Sequence, residues 1–287
     1  MPSTITQTEV IIVGAGPTGL SLACQLVRYG INFIIIDKSE GVTPYSKALG
    51  VHARTLEIYE QLDISEKAVQ QGTIAGKVRM LAGAKVRGEV DLSSIGEGMS
   101  QYPYMLVLEQ SKNERLLYEY MHAHGKAVLW QTELIAFSQN DTSVTTQVKN
   151  ANANFSIEAK YLVGCDGPKS LVRHGLRLGF EGSTFERIFY VADVQIDWSF
   201  SHDALHVCLA RNSGMAFFPM PGENRYRIVG AFPEGFAKRK AKRCMRKSSS
   251  ISSRSLVLVS KYRMSIGFQP IKYIRAMWIN FRLVDAF

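Results

Sequence analysis

The stretch EVIIVGAGPTGLSLACQLVRYGINFIIID, residues 9–37, decides the reading of this chain. Val10 to Val13 are a short continuous apolar run, as a buried parallel strand gives. Gly14, Gly16 and Gly19 follow with the spacing G-x-G-x-x-G, and Leu20, Ala23, Leu26 and Val27 then repeat at helical spacing. A second apolar run, residues 33–36, ends at Asp37. Each glycine has its own reason. Gly14 permits a tight turn out of the strand, Gly16 lets a pyrophosphate approach the backbone, and Gly19 lets the helix lie close to the sheet. The helix N-terminus turns its N–H groups and positive dipole end toward the phosphates. Asp37 stands where a carboxylate accepts hydrogen bonds from a ribose and repels a 2′-phosphate, so the nucleotide half is read as plain adenosine. Strand, helix, strand and terminal acid in one unit predict a dinucleotide site.

The 287 residues suffice for one large domain or two modest ones. Before the first strand there is no basic n-region and no apolar h-region, so no signal peptide is expected. No stretch reaches the roughly 18 consecutive apolar residues of a membrane span. Cys24, Cys165, Cys208 and Cys244 lie far apart without C-x-x-C spacing, which fits isolated thiols in the cytoplasm rather than disulfides or a zinc site. The net charge of +9 is unevenly placed. Residues 236–287 hold 13 of the 34 basic residues and one of the 25 acids, leaving residues 1–235 mildly acidic. The charge therefore gives no general case for a nucleic-acid partner.

Beyond Asp37, residues 46–64 suggest a short helix with Ala53, Leu56, Tyr59 and Leu62 on one face and Arg54 at its start. Residues 72–108 read as a β insertion with strands near 77–81 and 104–108. Residues 111–124 read as a helix with Leu116, Leu117, Tyr120 and Met121 inward. Strands are expected at 127–136, 143–148, 155–159 and 161–163, the last running into GCDGPKSLVR. From 189 to 232 the pattern is mostly β, which predicts a second layer.

Four segments together resemble the class A FAD-dependent monooxygenases, aromatic hydroxylases related in fold to p-hydroxybenzoate hydroxylase. They are VGAGPTGLSLACQL, SKALGVHARTLEIYEQLDI, LEQSKNERLL with Gln110, and LVGCDGPKSLVR, which matches the D-G-x-x-S-x-V-R motif. Their order and spacing agree with the family over about residues 8–235. The resemblance implies an α/β fold: a Rossmann-type, glutathione reductase-like FAD-binding domain at 1–184 with its β insertion, and a β-rich substrate layer at 185–235. It implies FAD held by Gly14, Ala15, Gly16, Pro17, Thr18, Gly19, Asp37, Lys38, Lys47, Arg54, Gln110 and Asp166. Arg54 and Gln110 would line the flavin side, and Asp166 would orient N–H groups and water near the pyrophosphate. Lys47 stands where many relatives carry arginine and lacks its bidentate fork. Arg173 is read as an ion pair closing the turn after the D-G motif or as touching the nicotinamide cofactor.

The implied reaction is hydroxylation of a small phenolic substrate with NAD(P)H and O₂ through a C4a-hydroperoxyflavin. No catalytic acid or base is nominated. Phe217, Phe218, Pro219 and Met220 are read as core first and pocket second. The pairs His122/His124 and His202/His206 are read as surface or structural, with no metal expected. The alternatives are a non-catalytic FAD-binding remnant and a flavin-linked reductase of the same fold, such as the geranylgeranyl reductases. Residues 236–287 depart from the family, which continues into a second Gly-Asp flavin motif. Here Val284 precedes Asp285. The segment is read as a frame-shifted end that leaves the chain truncated; a rebuilt short end and a basic arm for nucleic acid or a membrane surface are the alternatives.

Overall fold

The computed structural model describes residues 5–44, 46, 48–82, 85–182, 189–210, 213–231, 273–275 and 282–284. Lys47, Cys244 and nearly all of the 236–287 segment, Asp285 included, lie outside them. The chain divides into two compact units.

The first unit comprises Met1–Leu49, Ile58–Ala68 and Glu109–Glu181. Its opening follows the glycine-rich stretch: β1 (Ile5–Val13), α1 (Pro17–Arg28) and β2 (Phe33–Ile36). The remaining strands are β8 (Val128–Leu129), β9 (Glu133–Gln139), β10 (Val144–Lys149) and β11 (Asn154–Gly164), with helices α5 (Gln110–Ala123) and α6 (Leu171–Gly175) and the start of α3 (Ser65–Gln71). They form one six-stranded sheet in the order β8-β2-β1-β11-β10-β9. β8, β2, β1 and β11 are parallel, and β10 pairs antiparallel with both its neighbours. Ile11, Val13, Ile36, Leu134, Val148, Ile157 and Val172 make the buried core on this sheet. Helix α5 buries Leu116, Leu117 and Met121 together with Glu114, while Tyr120 is only half-buried.

Two sequence expectations change here. The strand expected at 127–136 is broken into β8 and β9. Gln131 takes a left-handed φ of 52°, and the N–H groups of Gln131 and Thr132 donate to the carbonyls of Ser39 and Asp37. The strands expected at 155–159 and 161–163 are one strand, β11, because its register with β1 is the same on both sides of Lys160.

The second unit comprises Gly50–Glu57, Val69–Leu108 and Gly182–Phe287. Its strands in the first half are β3 (Gly50–Val51), β4 (Thr73–Ala75), β5 (Lys77–Ala82), β6 (Lys85–Asp91) and β7 (Met105–Val107). A short helix, α4 (Leu92–Gly96), follows β6, and α2 (Ala53–Glu60) starts in this unit. The second half supplies β12 (Phe189–Asp197), β13 (Ala204–Ala210), β14 (Ser213–Pro219), β15 (Arg225–Ala231), β16 (Tyr273–Arg275) and β17 (Arg282–Val284). A large sheet runs β16-β12-β15-β14-β13-β5-β6, with β17 also on β12, and β3-β7-β4 form a small antiparallel sheet. The insertion at 72–108 thus donates β5 and β6 to the same sheet as the later strands. On one face of that sheet lie Leu81, Ile196, Cys208, Phe217 and Tyr226, packed with Trp198 and Phe200. Phe217 and Met220 are buried there. Directly across β12 and β15, Arg227 and Asp193 form a two-bonded ion pair at 2.5 and 2.7 Å.

His206 is fully buried in this core, 5.1 Å from the Trp198 ring and 5.3 Å from the Phe200 ring. Its Nε2–H donates to the Ser201 carbonyl at 3.1 Å, and its Nδ1 has no partner among the described residues. Burial holds its pKa below the ordinary histidine value, with nearby Arg79 and His202 acting in the same direction and the Ser201 bond and Asp203 against it. The ring is therefore neutral in the fold while the unfolded chain takes up a proton below about pH 6.5. Its contribution to stability is present above that pH and is lost as the pH falls through the depressed folded value. Between about pH 6.5 and that depressed value each pH unit costs about 1.4 kcal/mol, and below it nothing further is lost. Urea midpoints measured at pH 7.5 and pH 5.5 should fall more steeply in the native chain than in His206→Phe, and equal slopes would contradict this assignment.

Candidate functional site

The candidate site is built at the C-terminal ends of β1 and β11, which run side by side with Val13 opposite Gly164. Open α/β sheets offer ligands this edge because the turns that leave it present backbone N–H groups and helix N-termini. From β1 the chain turns at Gly14, whose φ of +105° suits glycine. A Cβ at Gly14 would lie 2.3 Å from the Cys165 carbonyl oxygen. A Cβ at Gly19 would lie 1.8 Å from the Gly14 carbonyl oxygen. These two glycines are required by the fold itself, since the turn, α1 and the end of β11 touch through backbone atoms. Gly16 is different: a Cβ there would meet nothing within 4 Å. Its backbone is extended, at φ −74° and ψ −173°, so conformation does not demand glycine either. What glycine preserves at 16 is open space above the turn. Gly16 is also the N-cap of α1, no side chain caps that end, and Pro17 begins the helix. An uncapped twelve-residue helix beneath an open cradle suits a diphosphate.

Asp37 follows β2, and its carboxylate holds the turn. Oδ2 accepts the Ala15 N–H at 2.6 Å and Oδ1 the Ser39 N–H at 2.8 Å. Each carboxylate oxygen has a further lone pair for a hydroxyl donor. Asp37 is therefore a brace for the glycine turn as well as a candidate ribose ligand, a role its sequence position alone did not reveal. Lys38, next to it in the chain, and Thr18 in the first turn of α1 are exposed, and Ala15 is buried.

Asp166 faces its own helix. Oδ1 accepts the Ser170 hydroxyl at 2.5 Å, and Oδ2 accepts the N–H groups of Leu171 at 2.7 Å and Val172 at 3.4 Å. Ser170 Oγ in turn accepts the Arg173 N–H at 3.0 Å. The D-G motif is thus a capping network that fixes the backbone of residues 165–172 against the glycine turn. Arg173 donates to the Pro168 carbonyl at 2.8 Å and lies over the Phe180 ring at 4.6 Å. It closes the turn through a carbonyl rather than through an ion pair.

Gln110 opens α5. Its N–H donates to Ser46 Oγ at 2.9 Å and to the Ala48 carbonyl at 3.1 Å, and its Nε2 donates to Glu114 Oε1 at 2.7 Å. Arg54 belongs to the second unit, where it pairs with Glu57 at 2.9 Å; that bond, with a second from Ser100, lowers the Glu57 pKa. Among the described residues no three His, Cys, Asp or Glu side chains are grouped to hold a metal. No helix of the described residues is long and apolar enough to cross a membrane.

Residues 7–265 match the family described as FAD binding domain. The chain belongs to that family. The flavin-dependent monooxygenase of Mycobacteroides abscessus is 30% identical over 293 residues, covering 97% of this chain and 59% of the relative. The 6-methylpretetramide 4-monooxygenase of Streptomyces rimosus is 29% identical, over 84% of this chain and 44% of the relative. In fold, the chain matches the crystal structure of p-nitrophenol 4-monooxygenase from Pseudomonas putida, with a TM-score of 0.81 at 18% identity, covering 98% of this chain and 69% of that one. This FAD-binding-domain family member thus shares the α/β fold of that monooxygenase. It spans about half the length of the curated relatives it matches.

Proposed function

We propose that the chain binds FAD across the turn from Gly14 to Gly19 and serves hydroxylation of a small phenolic substrate with NAD(P)H and O₂. The observation that supports this most is the open cradle over Gly16, set between two glycines that the fold itself requires. When bound, FAD would supply the redox chemistry: hydride acceptance from a nicotinamide, and delivery of one oxygen atom from O₂ to an electron-rich ring. The chain's own residues do the holding. Gly16 admits the diphosphate, the N–H groups of Gly16, Thr18 and Gly19 at the start of α1 supply donors, and Asp37 braces the turn through the Ala15 N–H and accepts from the ribose. Asp166 holds the D-G backbone beside the phosphates through Ser170 and Leu171. Gln110 is assigned to the flavin side, and Arg54 and Lys47 are retained as cofactor contacts on resemblance alone.

The experiment is oxidation of NADH and NADPH by the purified, FAD-loaded chain with and without a panel of simple phenols. The expected result is oxidation stimulated by a phenol, with matching O₂ uptake and a hydroxylated product. A reduced product formed without O₂ uptake would make it a flavin-linked reductase. NAD(P)H oxidation that no phenol stimulates would overturn the aromatic-hydroxylase reading.

A further inference from the structure

Glu114 is a buried carboxylate, 3% exposed, on the inward face of α5. Oε1 accepts from Gln110 Nε2 at 2.7 Å, and Oε2 accepts from the Thr43 N–H at 3.2 Å. Thr43 lies in the segment that leaves Asp37, and the same segment is held at Ser46 and Ala48 by the Gln110 N–H. Helix α5 is in turn fixed to α1, where Cys24 Sγ–H donates to the Leu117 carbonyl at 3.2 Å. One buried acid therefore joins the loop after β2 to the helix that carries Gln110.

The two bonds that Glu114 accepts give this arrangement a direction. Both Glu114 oxygens accept, so the Gln110 amide turns its NH₂ toward Glu114 and its Oε1 to the other side. We propose that Glu114 is a positioning residue of the FAD site, setting the polarity with which the Gln110 amide meets the cofactor. The proposal rests on the FAD reading above.

Glu114→Gln tests it, because the change keeps size and shape. The introduced amide can still accept from the Thr43 N–H, but it then shows NH₂ to Gln110, and the Gln110 side chain must flip to answer it. The fold survives and the polarity at the cofactor is reversed. Gln110→Glu/Glu114→Gln restores an acceptor at position 110, since the introduced amide donates to the introduced carboxylate. Fluorescence titration with FAD should show Glu114→Gln binding about 10-fold to 100-fold more weakly, the size of one hydrogen bond to a charged group. Its thermal melt should match that of the native chain. The double variant should recover to within about threefold of native, because contacting pairs couple while independent sites do not. The bound-flavin absorption bands should shift in Glu114→Gln and return in the double variant.

A purely structural Glu114 would move the melt and leave FAD affinity and the flavin spectrum unchanged, which overturns the proposal. A double variant no better than Glu114→Gln overturns it too. If the native chain itself takes up no FAD, the FAD reading fails instead, and the two failures are told apart by that first titration.

Discussion

Gly16→Val is expected to fold and melt as the native chain does while losing FAD affinity by about a hundredfold. The expectation follows from the difference between three glycines within six residues. A Cβ at position 16 has no neighbour within 4 Å, and the extended backbone there accepts any side chain. A valine therefore meets no protein atom at its first carbon. It occupies instead the space above the uncapped N-terminus of α1. A diphosphate forced away from those N–H groups suffers an overpacking penalty of roughly 3 kcal/mol, a factor of about one hundred in the dissociation constant. FAD titration and a thermal melt on the same sample check both halves. Unchanged FAD affinity would remove the diphosphate from this turn.

Gly19→Ala is expected to do the reverse and damage the fold before any ligand is present. Its Cβ would sit 1.8 Å from the Gly14 carbonyl oxygen and 3.3 Å from the Cys165 Cβ. The nearer atom is backbone, so no rotamer change relieves the clash. α1 has to lift from the turn that joins it to β1, and Leu20, Ala23 and Leu26 leave their packing with it. The cost is about 3 kcal/mol or more, which lowers the melting temperature by about 10 °C for a unit of this size. Circular dichroism of the cofactor-free variant measures it. A native-like melt would show that α1 does not lie as close to the turn as the backbone places it.

Much of this site could be read from the sequence because backbone sterics there leave few choices. The apolar runs at 10–13 and 33–36 become neighbouring parallel strands, and the helical repeat between them becomes α1. The second sheet was legible where its strands alternate or are apolar, as in β12 and β15. It was not legible at β6, where all residues but Gly88 are exposed and no face is selected for burial. Helix α3 went unread because Ala68 is its one buried residue, too little for an apolar stripe. Glu114 carries no reading of its own from the sequence. The signal was available: it sits four residues after Gln110 and three before Leu117, on the stripe that Met121 continues. An acid on an otherwise apolar stripe needs partners when buried. What sequence could not supply was the identity of those partners, because the Thr43 N–H comes from a loop 71 residues away along the chain.

The central claim is that an adenine-bearing flavin lies over residues 14–19, and direct titration of the purified, folded, cofactor-free chain with FAD tests it most simply. The account predicts saturable one-to-one binding, a perturbed flavin absorption spectrum, and binding weakened about a hundredfold in Gly16→Val at unchanged fold. A folded chain that leaves FAD fluorescence and absorption unaltered at every concentration would contradict it.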